Sequence, residues 1–155
     1  MTKELTDIFS LNRKIIVITG AAGLLGRKHA EAVAAYGGTP ILLDLSKDEV
    51  ESLANELNQK YSVNASGFVV DITNELQIED NVKLLVNKYK KIDCLINNAA
   101  NNPKVENSSE RNFSRLENFP LDLWSKDVAV GLTGAFLCAK HYGYQISKNP
   151  SGGVI

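Results

Sequence analysis

Short β-branched runs alternate with stretches of helical periodicity along most of this chain, and that alternation limits the possible folds more than any other feature. "KIIVIT" (Lys14 to Thr19) is short and apolar enough for a buried strand. Leu25 to Tyr36 carries apolar residues at helical spacing and stops at Gly37-Gly38, a natural C-terminal signal. "TPILLDL" (Thr39 to Leu45) reads as a second strand, with Pro40 at its start, where a missing donor is tolerated. Ser46 is placed as the N-cap of an amphipathic helix with Val50, Leu53, Ala54 and Leu57 on one face. "ASGFVVDI" is a third strand, followed by a helix from Asn74 to Tyr89 with Leu76, Val82, Leu85, Val86 and Tyr89 near one side. "IDCLINNAA" (Ile92 to Ala100) is a fourth strand and its exit, and a polar stretch runs from Asn101 to Pro120. A long apolar helix spans Leu121 to Ser147, and "GGVI" reads as the start of a fifth strand.

Each parallel strand pair needs a crossover, so this alternation predicts an α/β fold: a doubly wound parallel sheet in one domain over residues 1–155. Ligands of such sheets bind at the carboxyl ends of the strands. The turn "GAAGLLG" (Gly20 to Gly26), Asp44, Asp71 and "NNAA" (Asn97 to Ala100) all fall there.

The formal net charge is -1 with acidic and basic residues intermixed, so no clustered basic face points to a nucleic-acid or anionic-membrane partner. Cys94 and Cys138 lack CxxC spacing, and reduced thiols are expected. His29 and His141 lie far apart without a second ligand at metal spacing, so no metal site is expected. The polar N-terminus and the lack of a membrane-length apolar run predict a cytoplasmic protein.

Gly20, Gly23 and Gly26 join the first strand to the first helix. Helix-start amides and the helix dipole would hold a pyrophosphate there, provided no side chain blocks the approach. A turn built for packing alone is the other reading. Asp44 weighs for the cradle, because a dinucleotide site places an acid roughly 20 residues beyond the turn to accept from the adenosine ribose. A carboxylate there repels a 2′-phosphate, and no Lys or Arg lies between Gly20 and Gly26, so NAD is expected over NADP.

The glycine turn, Asp44, Asp71-Ile72 and "NNAA", in this order and at these spacings, resemble the short-chain dehydrogenase/reductase family from about Arg13 to Ile155. The resemblance implies an NAD(P)-binding Rossmann fold and an oxidoreductase that exchanges hydride with a hydroxyl or ketone. It further implies cofactor contacts from Gly20, Gly23, Leu24, Leu25 and Gly26, from Asp44 and Leu45 at the adenosine ribose, from Asp71 and Ile72 at the adenine edge, and from Asn98, Ala99 and Ala100. Asn97 and Asn98 are also expected to tie strand ends together as buried amides.

Three features depart from the family pattern. The glycine spacing resembles that of the extended, sugar-nucleotide branch, but that branch usually carries a His-containing motif where "NNAA" stands, so the short branch is the better match. In "VGLTGAFLC" (Val130 to Cys138) Gly131 stands where the family has an asparagine whose carbonyl holds a relay water, and it is either a functional variant or a packing glycine. The family's Ser and Tyr-x-x-x-Lys would lie beyond Ile155, so the sequence as it stands is expected to be a C-terminally incomplete, inactive cofactor-binding half. A non-catalytic NAD-binding or sensor module, or a truncated remnant, is the alternative. Tyr144 and Lys148 have the right mutual spacing but precede the fifth strand, so Tyr142 and Tyr144 are expected to be packing residues.

"NNAANNP" through "VGLTGAFLC" is most similar to a subgroup found with bacterial surface-polysaccharide and flagellin-glycosylation genes, which implies a sugar or sugar-nucleotide substrate. Lys104, Arg111 and Arg115 either meet such an anionic substrate or are merely solvated. The apolar surface of the last helix predicts a homo-oligomer.

Overall fold

The computed structural model describes residues 8–101 and 115–155. Four parallel strands, β1 (Ile15–Thr19), β2 (Thr39–Asp44), β3 (Ser66–Val69) and β4 (Cys94–Ile96), form one sheet in the order β3-β2-β1-β4. The chain leaves β1, adds two strands on one side, then crosses to add β4 on the other. This reversal beside β1 opens the crevice in which doubly wound sheets bind ligands. Every residue of β1 is buried, as a central strand covered on both faces requires.

Helices α1 (Leu24–Ala35) and α2 (Lys47–Tyr61) cover one face. There Ala30, Val33, Val50, Leu53 and Leu57 pack on Ile16, Ile18 and Leu42. On the other face lie α3 (Glu75–Tyr89) and α5 (Ala135–Ser147), where Ile78, Val82, Leu85, Cys138, Tyr142 and Ile146 meet Val17, Ile41, Leu43 and Leu95. Alternation along each strand divides its side chains between the two cores.

The long helix from Leu121 to Ser147 is not uniform. It consists of α4 (Leu121–Val128), a π-helical segment (Ala129–Gly134) and α5. Gly131 sits in the wider segment, and among the described residues nothing outside its own helix turn lies within 4 Å of where its Cβ would be. The expected fifth strand begins as a single parallel bridge, with the Leu95 amide donating to Val154 O at 3.0 Å and the Val154 amide to Asp93 O at 3.2 Å.

Several local expectations are corrected. Ser46 occupies the N-cap position of α2, but its side chain makes no cap bond. Asn74, by contrast, caps α3 by accepting from the Leu76 and Gln77 amides. Leu76 is exposed, and Ile78 takes the buried place on that helix. Tyr142 is a packing residue whose hydroxyl donates to Asn81 Oδ1 at 2.8 Å. Burial raises its phenol well above the usual range. Tyr144 is instead exposed, with the Lys148 ammonium 4.0 Å from its ring centroid. No helix among the described residues is long and apolar enough to cross a membrane.

Candidate functional site

Gly20 turns the chain out of β1 at φ 62°, the left-handed region where a side chain is strained. A Cβ there would also stand 2.8 Å from Ala99 Cα, so glycine is required twice over. At Gly26 a Cβ would overlap Gly20 O, which shows how closely α1 approaches the turn.

The start of α1 is open. Gly23 caps it without a side-chain bond, and its first turn contains no acidic residue. Among the described residues, the amides of Leu24, Leu25 and Gly26 have no hydrogen-bond acceptor, whereas the Arg27 amide is the first to reach back, to Gly23 O at 3.0 Å. Unpaired donors at the positive end of a helix dipole are the arrangement that suits an anion. Leu24 and Leu25 are exposed, so their side chains flank this opening rather than the core.

Asp44 ends β2 directly beside the turn. Its Oδ2 accepts from the Ala22 amide at 2.9 Å and its Oδ1 from the Leu45 amide at 2.8 Å. The carboxylate therefore braces the glycine turn while remaining only partly buried. A carboxylate oxygen has more than one acceptor site, so capacity for ribose hydroxyls remains. Arg27 Nε donates to Ala22 O at 2.9 Å and ties this side chain to the turn.

Thr19, which the sequence reading passed over, joins the two halves of the crevice. Its buried Oγ1 accepts from the Asn98 and Ala99 amides, each at 3.0 Å, and donates toward Ile96 O at 3.4 Å. Asn98 Nδ2 returns the contact by donating to Thr19 O at 2.9 Å and Gly20 O at 3.1 Å. Asn97 Nδ2 reaches Ala135 O at 3.3 Å, and Asn101 Nδ2 reaches Asp127 Oδ1 at 2.9 Å. Asn98 ties the ends of β1 and β4 as expected, though only partly buried, whereas Asn97 is exposed and reaches helix α5 rather than a second strand. The signal for Thr19 was its place: a hydroxyl at the last position of an all-buried strand must find partners.

Asp71 lies at the crevice but is turned inward on its own loop, accepting from the Thr73 amide and hydroxyl. Ile72 is buried, with its Cδ1 2.8 Å from where a Gly134 Cβ would stand, so any contact it makes to a ligand would come from its main chain. Leu45 and Ala100 are exposed beside the opening. Gly20, Gly23 to Gly26, Asp44, Leu45 and Asn98 to Ala100 thus converge on one edge of the sheet. Lys104 and Arg111 lie outside the described residues, and Arg115 is exposed and pairs with Glu117 at 3.4 Å.

The Tyr144–Lys148 pair is on the opposite edge. The next residue, Asn149, donates to Ile92 O at 2.7 Å, ahead of the amino end of β4. Cys94 and Cys138 are free and belong to opposite faces of the sheet. Burial pushes the Cys138 thiol up to about 12. His141 gains neighbours that sequence spacing does not show: Glu75 and Glu79, distant in sequence, stand at its imidazole.

Residues 14–155 match the family model described as short chain dehydrogenase. The chain belongs to the short-chain dehydrogenase family. Among its family relatives, the NADP-dependent mannitol dehydrogenase of Alternaria alternata is 28% identical over 98% of this chain and 55% of its own length. The NAD-dependent glycerol dehydrogenase of Listeria innocua is 29% identical over 95% of this chain and 53% of its own. The crystal structure of an NAD+-bound xylitol dehydrogenase is similar with a TM-score of 0.76 and 27% identity, covering 88% of this chain and 49% of that one. The chain spans about half the length of the relatives it matches. Both NAD- and NADP-dependent short-chain dehydrogenases occur among them.

Proposed function

We propose that this chain forms the nucleotide-binding half of an NAD-preferring oxidoreductase acting on a hydroxyl or ketone carbon of a polyol or sugar. The observation that carries the proposal is the pairing of three acceptor-free amides at the start of α1 with the Asp44 carboxylate braced beside them. The amides of Leu24, Leu25 and Gly26 would hold the pyrophosphate, and Asp44 would accept from the adenosine ribose hydroxyls. Leu45, Asp71 and the main chain of Ile72 would border the adenosine end, and Asn98, Ala99 and Ala100 the middle of the cofactor. The nicotinamide, once bound, supplies the hydride acceptor or donor. Asp44 disfavours a 2′-phosphate by charge, and no basic side chain within the turn offsets it.

Gly131 has a part in this reading. The π-helical segment changes the hydrogen-bond spacing of the helix at the position that faces the relay in the family resemblance, and a glycine there lowers the cost of the distortion by removing side-chain crowding. The substrate class rests on the names of the mannitol, glycerol and xylitol dehydrogenases and on the resemblance to surface-glycan genes. Free cysteines fit action in the reducing cytoplasm.

Calorimetric titration of the folded chain with NADH and NADPH tests the proposal. Saturable NADH binding tighter than NADPH binding is expected, with a raised melting temperature for the complex. Absence of heat with both nucleotides overturns it.

A further inference from the structure

Beneath the nucleotide crevice, the seam between α3 and α5 gathers a second set of ligating groups. Glu75 and Glu79 are four residues apart on α3, so their carboxylates rise from one face of that helix. His141 of α5 places Nε2 2.8 Å from Glu75 Oε1 and 3.9 Å from Glu79 Oε1. One ligand atom from each residue lies within 4.8 Å of the other two. Ligands held about 2.0–2.2 Å from a tetrahedral ion stand about 3.4 Å apart, and the two measured separations bracket that value.

The backbones that present these groups are fixed. Tyr142, the neighbour of His141, is fully buried and bonded to Asn81, two residues beyond Glu79. Ile78 and Cys138 pack into the same core on either side of the seam. The imidazole is mostly covered, while both carboxylates are about two-fifths exposed, so an ion could enter from solvent. Lys140 Nζ lies 2.6 Å from Glu75 Oε1 and acts as the resident counter-charge. Its side chain is half exposed, and a surface ion pair of this kind stabilises little.

We propose that Glu75, Glu79 and His141 bind a divalent transition-metal cation of the zinc type, which displaces Lys140 and fastens α3 to α5. One imidazole and two carboxylates suit zinc or cobalt rather than magnesium, which prefers an all-oxygen octahedral shell. Solvent would complete the coordination. This site does not depend on the nucleotide reading, because no residue is shared between them.

The test titrates the nucleotide-free chain with Zn²⁺ by calorimetry and thermal melting, and with Co²⁺ by visible absorption. Wild-type protein is expected to bind one Zn²⁺ with a rise in melting temperature and to develop tetrahedral Co²⁺ bands. Glu79→Gln and His141→Ala should each weaken Zn²⁺ by about tenfold or more, the scale on which even supporting partners of metal ligands act. Lys140→Ala should tighten it, since it removes the competing ammonium. Glu79→Gln keeps size and, among the described residues, Glu79 accepts no side-chain hydrogen bond and only approaches His141 at 3.9 Å, so its loss of affinity cannot be ascribed to unfolding. Zn²⁺ affinity unchanged in Glu79→Gln and His141→Ala, or no saturable binding to wild type, overturns the proposal.

Discussion

Asp44 Oδ2 accepts from the Ala22 main-chain amide at 2.9 Å, so the acid that ends β2 is part of the glycine turn's own architecture. Its removal should act on both turn geometry and nucleotide binding. Asp44→Ala is expected to weaken NADH by about 1.5–3 kcal/mol, the range for hydrogen bonds to a charged group, or about ten- to hundredfold. NADPH should lose less, since its 2′-phosphate no longer meets a carboxylate. Titration of both nucleotides measures the ratio, and a ratio unchanged by the substitution refutes the assigned role.

Thr19 gives a cleaner structural test, because its hydroxyl is engaged by the Asn98 and Ala99 amides and by Ile96 O. Thr19→Val keeps the shape but leaves the Asn98 and Ala99 amides without their acceptor. Each buried unsatisfied group costs about 1–3 kcal/mol, so denaturant unfolding should show a loss of at least about 1 kcal/mol. Thr19→Ser should recover most of it. Equal stability of Thr19→Val and wild type would show that the crevice is not joined through this hydroxyl.

Asp93, at the amino edge of the sheet, predicts the acid limb of stability. Burial pushes its carboxyl up, but the Ile15 amide at 2.9 Å and the ammonium groups of Lys91 at 2.9 Å and Lys14 at 3.4 Å outweigh that and hold it below the usual range. A depressed folded value stabilises the fold above the unfolded carboxyl range, near 3.9, and the contribution is lost as pH falls through the folded value. Asp93→Asn should therefore destabilise at pH 7 and flatten the dependence below about pH 4. A wild-type acid limb retained in the variant would assign that limb to other carboxyls.

Leu121, Trp124, Leu132 and Phe136 of the α4–π–α5 stretch are all exposed. Large apolar side chains left open to water along one helical stretch promote association. Sedimentation should show concentration-dependent self-association of this chain, reduced by Phe136→Asp. A monomer at all concentrations contradicts the expectation.

Strand and helix positions were legible because burial on a parallel sheet leaves a local signature. β1 is an unbroken apolar run, α1 stops at Gly37-Gly38, and the crossover pattern implies the strand reversal beside β1. The crevice at the strand ends was legible for a related reason: turns at strand ends favour glycine or a short acid, and such residues stand out against apolar flanks. Leu76 misled because helical periodicity does not say which neighbouring stripe is covered. Tyr144 misled because an aromatic ring can be sheltered by a lysine on the surface as well as by a core.

The order of residues alone determined a doubly wound sheet with a glycine turn at its carboxyl edge, since periodicity, glycine and capping act over a few neighbours. Only the tertiary structure decided that Thr19 holds Asn98 and Ala99, that Asp44 braces Ala22, and that Glu75 and Glu79 meet His141. Those contacts join residues from different elements. Their geometry depends on how helices settle against the sheet, a packing result that no short stretch of sequence encodes.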